Sequence, residues 1–167
     1  AEVTLISGPT ALTPPEHGST IQVTSAREML DAVMAQVPGQ DVFIAVAAVA
    51  DYRPREVQSQ KIKKHADSLQ LELVRNPDIL AAVASLPHPP FCVGFAAESD
   101  HLLDHARKKR LQKNVPLLAA NLVSEAMGGD NSRIVLIDAN GEHALPAGPK
   151  SMLARMLLQH MAGMLST

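Results

Sequence analysis

The chain has 167 residues, of which 46% are hydrophobic and 19% charged, a balance typical of a globular protein with one sizeable core. Its net charge of −2 argues against general nucleic-acid binding, and no apolar run approaches the ~20 residues of a membrane span. The single cysteine, Cys92, excludes an internal disulfide, and we expect it in the core of a cytoplasmic protein.

The amino-terminal part of the chain is predicted to alternate strands with a helix. Residues 2–7 are rich in β-branched side chains and predict a buried strand, and residues 21–23 predict a short edge strand. Residues 25–28 have the pattern of a capping box, and apolar residues then recur at helical spacing. Residues 41–50 are apolar almost throughout, which predicts a central parallel strand covered on both faces.

A dense cationic segment follows that strand. Asp51 and Tyr52 stand where the chain is expected to leave the sheet, and three lysines fall within residues 61–64. Residues 69–73 alternate leucine with polar residues, so we predict a protruding hairpin between residues 57–63 and 69–73. Because an isolated hairpin is only marginally stable, we expect its leucine face to pack against a second copy of the chain.

The remainder of the chain repeats the alternation of helices and strands. Asn76-Pro77-Asp78 is typical of a helix start, and Asn140-Gly141 predicts a type I′ turn in a hairpin. We predict further strands at residues 91–96, 115–121, 133–138 and 142–145, and helices at residues 99–113 and 150–165. This order indicates an α/β fold, a three-layer α/β/α Rossmann-like sandwich whose mainly parallel sheet has an antiparallel edge hairpin.

In such sheets a ligand binds beyond the carboxyl ends of the strands. The residues predicted at or just past such ends are Asp51, Tyr52, Phe95, Glu98 and Asn121. Lys109 and Lys113 lie on one stripe of the predicted helix. Cationic clusters on a near-neutral chain favour a small anionic ligand, although solvated surface charge or compensation of the helix dipole explains each cluster taken alone.

Several familiar motifs are absent from the sequence. There is neither a P-loop nor a Gly-x-Gly-x-x-Gly motif, and Glu56 rather than lysine follows Tyr52 at the spacing of a reductase pair. His101 and His105 have metal-ligand spacing, but no third ligand stands out.

Five motifs in register resemble phosphopantothenoylcysteine synthetase of the bacterial coenzyme A pathway. They lie at residues 47–54, 61–64, 76–79, 93–98 and 106–114. The resemblance covers almost the whole chain and implies one ligase domain over residues 1–167. It also implies a reaction in which CTP activates the carboxylate of 4′-phosphopantothenate as an acyl-cytidylate, with release of pyrophosphate. The amine of cysteine then attacks, and CMP leaves.

The resemblance further implies site residues and partners. Lys61, the first lysine of the family's Lys-x-Lys-Lys motif, is implicated in the activation step. Nucleotide contacts are implied for Ala45, Val46, Ala47, Asp51, Lys61, Pro77, Asp78, Ile79, Leu80, Phe95, Lys109 and Lys113. Mg²⁺ is expected to accompany CTP, through protein ligands that the pattern does not identify. A homodimer and a fused or associated flavin-dependent decarboxylase are the expected partners, with neither nucleic acid nor membrane.

One departure from the family pattern bears on activity. The family's domain opens with a strand, a Gly-rich loop carrying an implicated asparagine, and a helix, which we expect to be missing here. We therefore expect this polypeptide alone to be inactive. Three other functions remain open: a CTP-binding module that is catalytically incomplete, an NADP-dependent Rossmann-like reductase, and a purely structural partner of a flavoprotein.

Overall fold

The computed structural model describes residues 1–58, 60–63, 68–98, 102–122 and 131–166. The strands are β1 (Thr4–Ser7), β2 (Ser19–Gln22), β3 (Val42–Ala45), β4 (Tyr52–Pro54), β5 (Leu73–Arg75), β6 (Phe91–Glu98), β7 (Leu117–Leu122), β8 (Asn131–Ser132), β9 (Val135–Ile137), β10 (Glu142–Ala144) and β11 (Gly148–Pro149). The helices are α1 (Ala26–Gln36), α2 (Ile79–Ala84), α3 (Leu102–Gln112) and α4 (Lys150–Leu165). None of the helices in these ranges is long and apolar enough to cross a membrane.

The fold divides into two compact units. The first comprises Ala1–Pro38 with Ala47–Ile79, and the second comprises Gly39–Val46 with Leu80–Thr167. In the first unit, β1 and β2 pair in parallel and β4 and β5 pair antiparallel. β1 is not the buried strand that the sequence predicts, since Leu5 is 39% exposed.

Helix α1 follows the predicted capping pattern. The Ser25 hydroxyl accepts a hydrogen bond from the Glu28 N–H at 3.2 Å, and the Glu28 carboxylate accepts one from the Thr24 N–H at 2.8 Å. Hydrogen bonds from the backbone and side chain of Thr24 lower the pKa of Glu28, with Ser25 adding to the effect. Met29 and Val33 then form the buried stripe of the helix.

The second unit is built on a five-stranded sheet in the order β10–β9–β7–β6–β3. Strands β3, β6 and β7 run parallel, and β9 and β10 add the predicted antiparallel hairpin at one edge. The central strands are nearly continuous apolar runs because helices and loops cover both of their faces. The predicted α/β class with a mostly parallel sheet is confirmed.

The core of this unit lies between the sheet and helix α4. Its fully or almost fully buried members are Val93, Leu117, Ala119, Leu136, Leu157 and Met161. Helix α4 has the predicted bounds, and Leu153, Leu157 and Met161 recur at intervals of four residues along its buried face. Cys92 is buried as predicted, and burial raises the pKa of its thiol.

Strand β3 corrects the prediction for residues 41–50. It ends at Ala45 and, among the residues that the structure describes, pairs with β6 alone, from Val42–Phe91 to Ala45–Gly94. The apolar run continues as a loop in which Val46 is 60% exposed. A run of alanine and valine is therefore compatible with an irregular segment, so hydrophobic content alone does not predict where a strand ends.

The two predicted hairpins also differ in detail from the structure. The ribbon of the first unit joins β4 to β5, so its first arm is residues 52–54 rather than 57–63; residues 64–67 of the predicted turn lie outside the described residues. In the β9–β10 hairpin only Gly141 has a positive φ, of 133°. Because a type I′ turn needs positive φ at both central residues, that prediction is wrong.

Candidate functional site

Asn76 holds the loop after β3 in place within the first unit. Its backbone N–H donates to the Asp51 carbonyl at 2.8 Å, and its side-chain amide donates to the Ala50 carbonyl at 2.8 Å. Arg53 donates to the Asn76 amide oxygen at 3.2 Å and to the Arg75 carbonyl. The loop that ends at Asp51 is thereby tied to the chain just before Pro77, so these two predicted nucleotide residues are brought together.

This use of Asn76 corrects its predicted role as a helix cap. Helix α2 begins at Ile79, three residues later, while the Asn76 side chain bonds to Ala50 and Arg53. Ile79 and Leu80 are buried at the start of that helix, and Asp51 and Asp78 are exposed. Asn76 and Pro77 correctly predict that a helix begins nearby. The Asn76 side chain, however, forms hydrogen bonds to Ala50 and Arg53 instead of capping that helix.

Lys61 lies beyond the paired part of the ribbon. The β4–β5 pairing continues to Arg55, whose N–H donates to the Glu72 carbonyl at 2.8 Å and whose side chain contacts the Glu72 carboxylate at 2.7 Å. Both side chains of that ion pair are exposed, so it contributes little to stability. Lys61 and Lys63 are exposed and lie outside any strand, and Lys64 lies outside the described residues.

A second group of predicted residues meets at β3 and β6 in the second unit. Ala45 ends β3 opposite Gly94, and Phe95 is the next residue of β6, half-buried against the core. A Cβ built on Gly94 would lie 2.7 Å from Leu80 Cδ2, so Leu80 packs directly against the Gly94 backbone. Ala45 and Leu80 therefore lie beside one glycine, whereas Phe95 points to the opposite face of the sheet because successive side chains of a strand alternate.

Lys109 and Lys113 lie on the inward-facing side of helix α3. Ala106, on the same stripe, is fully buried, and both lysines are half-buried, whereas Lys108 is exposed. The Lys113 N–H donates to the Lys109 carbonyl at 3.0 Å, so helical geometry continues past Gln112. The predicted stripe is confirmed, and solvated surface charge describes Lys108 better than these two. His101 and residues 99–100 lie outside the described residues.

The other predicted strand-end residues are distributed as follows. Asn121 pairs with Ala97, and Glu98 pairs with Leu122, on the last rungs between β6 and β7. Tyr52 is exposed and begins β4 in the first unit. The residues predicted to bind nucleotide are thus carried partly by each unit.

A cleft lies elsewhere in the second unit. Its volume is about 370 Å³, and its walls are the end of α3 and the β9–β10 turn, with Arg107, Arg110 and Asn140 among the lining residues. Arg107 contacts Asp104 at 3.3 Å and also the Glu142 carboxylate. None of the residues that line this cleft belongs to the predicted nucleotide set.

An aspartate and two histidines form a cluster beside that cleft, which the sequence reasoning missed. Asp138 Oδ2 lies 2.9 Å from His160 Nε2 and 3.1 Å from His143 Nε2, and the two imidazole rings are 4.6 Å apart. Burial raises the pKa of Asp138, but its contacts with His143 and His160 and the Asn140 N–H outweigh burial and lower it overall.

The spacing of these three residues along the sequence does not predict that they form a cluster. Asp138 and His143 flank a hairpin turn, so their proximity follows once the hairpin is recognised. His160 joins them from α4, 22 residues from Asp138, and only the packing of that helix on the sheet brings it close. Among the residues that the structure describes, no other group of three metal-ligating side chains was found, and His105 does not belong to this one.

The chain is similar to known proteins along nearly its whole length. Residues 1–165 match the family described as DNA/pantothenate metabolism flavoprotein C-terminal domain. The chain is 44% identical to the Coenzyme A biosynthesis bifunctional protein CoaBC of Escherichia coli, over 96% of this chain and 41% of that protein. It is 47% identical to the protein of the same name from Vibrio parahaemolyticus, over 96% of this chain and 42% of that protein.

A solved structure described as the C-terminal domain of Coenzyme A biosynthesis bifunctional protein CoaBC matches with a TM-score of 0.82. The identity is 36%, and the match covers 99% of this chain and 75% of that one. The chain spans about two fifths of the length of the curated relatives.

Proposed function

Because the chain belongs to the DNA/pantothenate metabolism flavoprotein C-terminal domain family, we propose that it is a ligase domain joining 4′-phosphopantothenate to cysteine. The observation that carries the proposal is the 44–47% identity to coenzyme A biosynthesis proteins over 96% of the chain. CTP is the proposed nucleotide, and the products are 4′-phosphopantothenoylcysteine, CMP and pyrophosphate.

The proposed nucleotide residues form two groups, one in each unit. In the first unit they are Ala47, Asp51, Lys61, Pro77, Asp78 and Ile79, and the hydrogen bonds of Asn76 support the proposal by fixing Asp51. In the second unit they are Ala45, Val46, Leu80, Phe95, Lys109 and Lys113. The half-buried lysines of α3 support a role in binding an anion, because a partly desolvated cation attracts phosphate more strongly than an exposed one.

In the proposed first step, a carboxylate oxygen of 4′-phosphopantothenate bonds to the α-phosphorus of CTP, and the bond to pyrophosphate breaks. Two anions must approach each other, so fixed cations that meet the developing charge give the largest help. Lys61 is proposed for that role. In the second step the amine of cysteine attacks the acyl carbon, loses a proton, and expels CMP.

Mg²⁺ is proposed to accompany CTP. The exposed carboxylates of Asp51 and Asp78 suit it, because Mg²⁺ prefers oxygen ligands and retains several waters beside substrate phosphates. When bound, the ion would neutralise phosphate charge. The imidazoles of the Asp138 cluster suit it poorly.

Pyrophosphate release tests the function directly. It is measured with CTP, 4′-phosphopantothenate and cysteine each omitted in turn. Lys61→Gln should abolish release while leaving the circular dichroism spectrum unchanged. Lys108→Gln removes an exposed lysine from α3 and is the matched control, with activity close to that of the wild type. Near-normal turnover by Lys61→Gln would remove Lys61 from the mechanism.

The same assay separates the rival functions. A CTP-binding module would bind the nucleotide but release no pyrophosphate with any acceptor. A reductase would be stabilised against heat by NADPH rather than CTP, and a purely structural partner would be stabilised by neither. A thermal-shift comparison of CTP, ATP and NADPH distinguishes these outcomes.

A homodimer is also proposed, through the leucine row before and within β5. Leu69, Leu71 and Leu73 are 63%, 59% and 53% exposed, and alternate residues of an extended segment share one face. Leu71→Asp should convert the dimer to a monomer in light scattering after size exclusion. Leu158→Asp changes an exposed leucine of α4 and should leave the dimer intact.

We further propose that the chain acts beside a flavin-dependent decarboxylase in the cytoplasm. The curated relatives are named bifunctional, and this chain matches only about two fifths of each. A decarboxylase acting on 4′-phosphopantothenoylcysteine would consume the product of the ligase. Copurification of a flavin-containing domain that decarboxylates this product would support the pairing.

A further inference from the structure

We propose that Asp138, His143 and His160 form a binding site for a divalent transition-metal ion of the zinc class. Asp138 follows β9, His143 lies in β10 and His160 lies in α4, all within the second unit. Their candidate ligand atoms lie within 4.8 Å of one another. The ion would tie the last helix to the edge hairpin of the sheet.

The carboxylate of Asp138 is positioned as a metal ligand requires. Its side chain is only 2% exposed, and Oδ1 accepts the N–H groups of Asn140 at 2.7 Å and Gly141 at 3.1 Å. These bonds from the turn orient the carboxylate and leave Oδ2 directed at both imidazoles. Outer contacts of this kind are what hold ligating carboxylates in known metal sites.

His143 supplies a second, independent observation. Its Nε2 atom is buried and makes no hydrogen bond of acceptable geometry, although it lies 3.1 Å from Asp138 Oδ2. The contact with Asp138 therefore satisfies this nitrogen only in part, because a full hydrogen bond requires better alignment. A metal ion between the three side chains would satisfy this nitrogen through its lone pair.

The spacing of the cluster requires two opposite adjustments on binding. Two ligand atoms at about 2.0–2.1 Å from a tetrahedral zinc ion lie about 3.3 Å apart. The distances from Asp138 Oδ2 to His160 Nε2 and His143 Nε2 are 2.9 and 3.1 Å, so each of these pairs must open by a few tenths of an ångström. The three ligand atoms span up to 4.8 Å, so the two imidazole nitrogens must approach each other by up to about 1.5 Å. Asp138 and Gly141 also help to line the 370 Å³ cleft, whereas neither histidine does.

The ligand types select the class of ion. Two imidazole nitrogens and one carboxylate oxygen suit Zn²⁺, Co²⁺ and Ni²⁺, whereas Mg²⁺ requires oxygen ligands in octahedral geometry. This site is therefore separate from the Mg²⁺ proposed for the ligase reaction. The inference does not rest on the proposed function, because metal binding is measured without substrates.

The alternative arrangement is a metal-free cluster in which the imidazoles contact the Asp138 carboxylate directly. Untagged protein treated with EDTA and dialysed is titrated with Co²⁺ and followed by visible absorption. The expected result is one equivalent bound, with the intense d–d bands of tetrahedral cobalt, and displacement by Zn²⁺ but not by Mg²⁺. Absence of saturable binding would leave the metal-free cluster as the correct description.

Variants locate the bound ion. Loss of an outer contact alone costs about 10–100-fold in metal affinity, so His143→Gln and His160→Gln should each weaken binding by at least about 100-fold. His88→Gln, an exposed histidine of the same unit, is the matched control and should bind as the wild type does. His143 is partly exposed, so its replacement tests binding even if His160→Gln proves unstable in the absence of metal. Unchanged affinity in His143→Gln would overturn the proposal.

Discussion

Gly94 offers a sharp test of how the second unit packs around the predicted nucleotide residues. A Cβ at this position would lie 2.7 Å from both Leu118 Cδ1 and Leu80 Cδ2, about 1 Å closer than the ordinary contact of carbon atoms. Leu118 and Leu80 are both buried, so neither methyl group can move into solvent. Gly94→Ala should therefore overpack the core.

The magnitude follows from two opposing effects. Overpacking of this kind costs about 1–3 kcal/mol, while the reduced freedom of the unfolded chain returns about 0.4–1 kcal/mol. Because the φ of Gly94 lies outside the left-handed region, backbone strain adds nothing further. The free energy of unfolding should fall by roughly 1–2 kcal/mol.

Urea unfolding followed by circular dichroism measures this loss as a lower midpoint at an unchanged slope. Gly163→Ala is the matched control, since a Cβ there meets nothing within 4 Å and alanine is favoured in a helix by about 0.5–1 kcal/mol. The two identical substitutions should shift the midpoint in opposite directions. An unchanged or raised midpoint for Gly94→Ala would refute the packing of Leu80 on β6. Weaker CTP binding by the same variant would link that packing to the site.

Three further predictions concern the capping box, the loop before β4 and the buried carboxylate. Ser25→Ala should lower the free energy of unfolding by about 1 kcal/mol in urea titrations, because the Glu28 N–H loses its acceptor. Asn76→Ala should raise the KM for CTP with the fold retained, because the loop ending at Asp51 loses its hydrogen bond from the side chain at Ala50; an unchanged KM would show that this loop does not position nucleotide. In EDTA, ionised Asp138 should stabilise the fold fully above the ordinary carboxyl pKa near ~3.9, and this contribution should be lost as pH falls through its lowered pKa. Melting temperatures from pH 6 to pH 3 should therefore fall more steeply for the wild type than for Asp138→Asn; parallel curves would contradict the prediction.

The predictable parts of this fold are those determined by local chemistry. Ser25 and Glu28 define the start of α1 because capping needs only residues three apart. Helix α4 has the predicted bounds because an apolar residue at every fourth position needs no knowledge of its partner. The stripe formed by Ala106, Lys109 and Lys113 follows for the same reason.

Most of the features that the sequence did not predict depend on contacts between residues far apart in the chain. Whether residues 46–50 continue β3 depends on a neighbouring strand that hydrophobic content does not reveal. The first arm of the ribbon is set by the pairing of Tyr52 with Arg75 rather than by alternation, which predicts residues 57–63 instead. The conformation of Asn140-Gly141 is likewise set by the Asp138 carboxylate, which accepts both of their N–H groups.

The ligase proposal and the metal-site proposal at Asp138 rest on different kinds of observation. The residues proposed to bind CTP could be named from motifs, because each motif is a short run of sequence. The Asp138 cluster has no such run, since the turn, β10 and α4 each contribute one group. Sequence similarity to the relatives therefore supports the ligase proposal and leaves the metal proposal untouched. Only binding measured on His143→Gln against His88→Gln decides whether the cluster is a metal site or a metal-free cluster.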